Sequence, residues 1–77
     1  MVKLIKKAPN FNLVITPNTN IYFSYEQPVA FVTKECITYA TKMKWSKTTS
    51  KHLNSIGIDE YLDHEIFLKK LEENLND

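Results

Sequence analysis

At 77 residues the chain has room for one domain, 1–77, with a small core and no disulfide framework, since Cys36 is its only cysteine. Ten lysines, no arginine and nine acids leave a net charge of +1, which argues against sequence-specific DNA recognition, because arginine is the usual bidentate reader of guanine and phosphate. Met1-Val2-Lys3-Leu4-Ile5 is cut short by Lys6 and Lys7, so it does not read as a signal peptide, and no apolar run reaches membrane-spanning length. These features predict a soluble, cytoplasmic protein, and the marginal core leaves room for stabilisation by a partner or a second copy in a homodimer.

The first forty residues read as strands. Phe11, Leu13 and Ile15 alternate with Asn12, Val14 and Thr16, the period-2 signal of a half-buried strand. Pro17-Asn18-Thr19-Asn20 is a turn cluster. Ile21, Phe23 and Tyr25 alternate with Tyr22 and Ser24, and Pro28, which cannot donate to a ladder, is expected to break that run. Val29–Thr33 and Cys36–Ala40 read as a hairpin about Lys34-Glu35, with Cys36 a small buried strand residue. Residues 41–45 fit either a strand extension or a loop.

The helices come last. Ser46 or Thr48 is a suitable N-cap, and Thr49, His52, Leu53 and Ile56 then share one helical face opposite Lys47 and Lys51. Gly57, the only glycine, stands where a left-handed residue would end that helix. Asp63 is a good N-cap for a second helix whose stripe is Phe67, Leu68, Leu71 and Leu75. The expected fold is α+β: a small antiparallel meander of three to four strands, followed by helices at about 47–56 and 63–75, both packed on one face.

Charge is unevenly spread. Lys3, Lys6 and Lys7 stand without an acid in residues 1–16, and Lys42, Lys44, Lys47 and Lys51 without one in 36–58. Residues 59–77 hold seven acids against Lys69 and Lys70. Such patterning steers partners rather than fixing a fold.

No catalytic set emerges. Ser46 or Ser50 with His52 has no strained glycine-flanked turn and no orienting carboxylate to make a serine nucleophile. Cys36, His52 and His64 are scattered singly rather than in the spaced pairs of a zinc site. Asp59, Glu60, Asp63 and Glu65 lack the glycine and terminal glutamate of a calcium loop, and read as a solvated helix start. No catalytic, cofactor or metal residue is assigned, and the chain is expected not to be an enzyme.

Two binding readings remain. The nine aromatics of a 77-residue chain exceed what so small a core hides, and tyrosine and tryptophan are favoured interface anchors. Alternatively, Lys42–Lys51 would contact phosphates, with tyrosines stacking on bases, in a weak, sequence-tolerant nucleic-acid binder. Both readings use the same surface: Lys44, Trp45, Lys47, Thr48 and Lys51, with Tyr22, Tyr25 and Tyr39 beside it.

Tyr22-Phe23-Ser24-Tyr25, Pro28-Val29-Ala30-Phe31 and the run Trp45-Ser46-Lys47-Thr48-Thr49-Ser50-Lys51-His52-Leu53-Asn54 together resemble a family of very small domains encoded mostly by bacteriophages and plasmids. Its marks are an S-Y-x-x-x-V-A hairpin element and an aromatic-S-x-T-T-x-K-H motif. The resemblance covers roughly residues 19–73, leaves 1–18 outside, and brings no assigned activity. It implies a phage or mobile-element origin, and hence a small module that occupies a host, defence or viral complex, an anti-defence inhibitor being one form.

Overall fold

The computed structural model describes residues 3–42 and 47–76. Six strands form one sheet in chain order: β1 (Lys3–Ala8), β2 (Phe11–Ile15), β3 (Asn20–Ser24), β4 (Gln27–Val32), β5 (Thr38–Thr41) and β6 (Glu60–Leu62). Helix α1 (Lys47–Asn54) lies between β5 and β6 in sequence, and α2 (His64–Asn76) ends the fold. The first five strands are antiparallel; β6 joins β5 in parallel, so β5–α1–β6 is a crossover.

This corrects the expected three- to four-strand meander with both helices on one face. The sheet has six strands and is mixed, β6 enters between the helices, and the helices lie on opposite faces. The register shows why. Ile21 stands opposite Phe31, and Phe31 opposite Tyr39, so these three side chains share a face. Phe67 and Leu71 of α2 pack there, with Phe23 and Leu62 around them. Tyr22, Ala30 and Ala40 are likewise cross-strand partners and point the other way. Leu53 of α1 joins Val29, Ala30 and Ala40 on that side, flanked by Tyr22, Ile56 and Ile58. A sheet covered on both sides must carry apolar residues at consecutive positions, and Val29-Ala30-Phe31-Val32 does so.

Local departures follow from turn chemistry. The run from Ile21 does end ahead of Pro28, at the Tyr25-Glu26 turn, and Pro28 itself lies inside β4, beside a register shift at Tyr22/Phe23; a bulge is a place where proline is tolerated. Only Ala30, Phe31 and Val32 of β4 pair with β5, so at Pro28 one side of the strand has no ladder to β5. Lys34 and Glu35 are the centre of a turn closed by Cys36 N–H on Thr33 C=O at 3.0 Å. Cys36 follows at φ 65°, giving a three-residue loop rather than a two-residue one. Cys36 is therefore exposed in a turn, not buried in a strand.

Helix α1 ends without a left-handed glycine, for no glycine has positive φ. The Ser55 N–H donates to the carbonyls of Lys51 and His52 instead, and its hydroxyl reaches the His52 carbonyl at 2.6 Å. Asp63 occupies the expected cap position, its carbonyl accepting from Phe67 N–H at 2.8 Å. Asp59 and Glu60 serve β6 rather than a helix start: the Asp59 carboxylate accepts from Thr38 N–H at 2.8 Å, and Glu60 begins the strand. At the far end of β6, Lys42 N–H donates to Leu62 C=O at 2.7 Å. The choice between strand and loop for residues 41–45, and the Ser46 cap, fall largely outside the described residues, though Thr41 closes β5.

Candidate interaction surface

The expected contact surface is only partly described. Lys44 and Trp45 lie outside the described residues, and Lys47 and Thr48 are placed in the first turn of α1 by their backbone alone. Lys51 is exposed in the last turn of that helix. The three tyrosines are not brought together. Tyr22 is half-buried on the α1 face, stacked on Phe11 at 5.7 Å. Tyr39 is half-buried on the opposite face, 5.6 Å from Phe31, with the Lys70 ammonium 5.0 Å above its ring. Only Tyr25 stands out in solvent, 49% exposed at the turn between β3 and β4. Tyr22 and Tyr39 are committed to opposite cores, so they do not form an open stacking platform for successive bases.

Each helix brings an imidazole against a hydroxyl of the sheet. His52 Nδ1 is 2.9 Å from Ser24 Oγ, and the ring stacks on Phe11 at 4.5 Å. His64 Nδ1 is 2.9 Å from Thr41 Oγ1, and its ring stacks on Phe67. Ser50, the sequence partner considered for His52, is exposed on α1. Ser24 and His52 are 2% and 8% exposed, so a substrate carbonyl has no approach to the serine oxygen. The pair satisfies two buried polar groups where the short helix meets the sheet, which an apolar wall alone would leave costly. His52 and His64 lie on opposite faces and do not converge. Among the described residues no group of three His, Cys, Asp or Glu side chains is placed to hold a metal ion.

With a helix over the middle of each face, the sheet edges are what stays open. β6 is three residues long, and Asp59 and Glu60 at its start are exposed acids. β1 is six residues long and, among the described residues, pairs with β2 alone. Lys3, Leu4, Lys6 and Lys7 are exposed along it, Leu4 at 65%, while Ile5 is half-buried opposite Leu13. Sequence reading missed β1 because Lys3–Lys7 shows no clean alternation. The signal was the isolated Leu4-Ile5 pair just ahead of a Pro9-Asn10 turn. Asn10 has φ 60°, the left-handed geometry that asparagine tolerates after proline in a tight turn.

The molecule is thus a small helix–sheet–helix domain of mixed topology, with a basic edge, an acidic edge and no helix among the described residues long and apolar enough to cross a membrane. The chain belongs to the family of unknown function DUF8033, whose profile matches residues 3–72. The match takes in β1 and β2, so the first eighteen residues, which carried no resemblance in the sequence, are largely part of the family domain. No curated protein and no solved structure matches the chain.

Proposed function

We propose that the chain is a non-enzymatic protein-binding module that captures an extended, acidic segment of a partner along the outer edge of β1. One observation carries this reading: the longest open edge of the sheet presents Lys3, Lys6 and Lys7, with no acid among its six residues. The outward N–H and C=O groups of an edge strand supply main-chain hydrogen bonds to an added strand, and its side chains supply selectivity. The lysines discourage pairing of β1 with β1 of a second copy, since like charges would face each other, and favour a partner strand rich in Asp or Glu. In this proposal the protein works in the cytoplasm as a small module of phage or plasmid type. It occupies the surface of a larger host, defence or viral assembly, with Lys51 at a secondary contact.

The test uses the full chain with three fluorescent probes: a peptide alternating Glu and Val, its Lys-Val counterpart, and single-stranded oligo(U). Expected are binding of the acidic peptide, slowed amide exchange in residues 3–8, and loss of both in the Lys3→Glu/Lys6→Glu/Lys7→Glu variant. Binding of the acidic peptide without added protection in β1 overturns the strand-addition reading. Tighter binding of oligo(U), with about one unit of salt slope lost per lysine removed, replaces it with nucleic-acid binding.

A further inference from the structure

At the end of the sheet where β1 turns into β2 and β3 into β4, a surface cleft of about 570 Å3 is lined by Lys6, Asn10, Asn12, Tyr25, Glu26 and Gln27. Its volume falls within the range of small-molecule sites. Lys6 and Asn12 are cross-strand partners of β1 and β2, so they share a face. Asn10 and Tyr25 belong to the two turns, which are tied together by Tyr25 N–H donating to the Asn10 carbonyl at 2.6 Å.

The backbone here is unusual for its residues. Asn10 and Tyr25 both have left-handed φ, 60° and 57°. For Asn10 the residue type accounts for it. For Tyr25 it does not, because a large side chain at positive φ is disfavoured where glycine, asparagine or aspartate would sit freely. The ring gains little core packing in return, being 49% exposed. Strain at an exposed aromatic beside a cleft is the kind of outlier from which function is inferred.

We propose that this cleft binds a neutral saccharide, with the Tyr25 ring as the platform for one pyranose face. Three amide side chains, from Asn10, Asn12 and Gln27, each both donate and accept, which matches hydroxyl groups that do the same. Lys6 and Glu26 add one donor cation and one acceptor anion, so the lining carries no net charge. A phosphate or carboxylate ligand would meet the Glu26 carboxylate, whereas a neutral polyol uses both charged groups. Weakly positive axial C–H groups of a pyranose face the electron-rich ring face. The site shares Lys6 with the β1 edge but does not rest on the edge reading, and its test leaves the lysines untouched.

The experiment is a two-dimensional amide NMR titration of the full chain with maltotriose, chitotriose and, as a charged aromatic comparison, adenosine monophosphate. The expected result is saturable shifts confined to residues 10–12 and 25–27 with at least one of the trisaccharides, at millimolar affinity. Tyr25→Asn keeps a residue suited to the turn and therefore folds, and it is expected to weaken binding at least tenfold. Asn12→Leu is expected to do so as well, with the Tyr25 resonances unmoved in the free protein. No saturable shift with either trisaccharide at 50-fold excess overturns the proposal. So does tighter binding of adenosine monophosphate, or trisaccharide binding unchanged in Tyr25→Asn.

Discussion

The two faces of the sheet are covered by different means. On one, a thirteen-residue helix lays Phe67 and Leu71 over Ile21 and Phe31, and both phenylalanines are fully buried. On the other, an eight-residue helix places Leu53 over Ala30 and Ala40, and the contact is completed by the Ser24–His52 hydrogen bond and the Phe11 ring. At Ala30-Phe31 and Tyr39-Ala40 a small residue faces α1 and a large one faces α2. Small residues let a short helix approach closely, and large ones fill the space beneath a long helix. The α2 face is secured by apolar volume, while the α1 face needs a specific polar pair to seat eight residues that would be marginal as an isolated helix.

Substitutions can break or sharpen this contrast. Phe67→Ala is expected to have the largest effect, destabilising by about 3–5 kcal/mol in urea denaturation, because a rigid apolar site cannot close over the cavity. A fully stable variant would show that α2 does not hold the fold. Leu53→Ala should cost about 2–3 kcal/mol, the low end for a buried leucine, since a short helix over alanines can settle inward. A cost equal to that of Phe67→Ala would erase the difference between the faces. Ser24→Ala should cost about 1–3 kcal/mol by leaving the buried imidazole short of a partner. His52 relaxation by NMR should then report a mobile ring, while the α2 amides keep their protection from exchange. Smallest and opposite in sign, Gly57→Ala should stabilise by about 0.4–1 kcal/mol. Gly57 has no positive φ, and an added Cβ would meet nothing within 4 Å. Destabilisation on thermal melting would mean that this connection needs glycine after all.

β2 and β3 were legible because apolar residues recur at alternate positions, and β4 and β5 because Val29–Thr33 and Cys36–Ala40 are rich in β-branched and aromatic residues, with Pro17-Asn18 and Lys34-Glu35 between the runs. The stripe through Phe67 and Leu71 was legible at helical spacing in the same way. The side on which each helix lies was not, because Ile21-Tyr22, Ala30-Phe31 and Tyr39-Ala40 are apolar at both parities. Read as two-sided burial, the same pairs would have placed the helices apart. β6 was hidden by its length of three residues and by flanking acids suited to a helix start. Its parallel pairing with β5 is a long-range choice that no local window reveals. Of the expected contact residues, Tyr25 was read as the end of a strand and instead stands in the turn after β3 at φ 57°. That Tyr22 and Tyr39 point in opposite directions follows from register alone.

The chain-order sheet has a consequence for how the protein is made. Five strands joined by short turns need only nearest-neighbour contacts and can zip as they leave the ribosome. The parallel sixth strand and both helices wait for residues beyond 46. A nascent chain stopped at residue 42 would therefore hold a sheet bare on both sides. The sheet is then covered in two steps, first with α1 and β6 and then with α2, so the α2 face is the last to be closed.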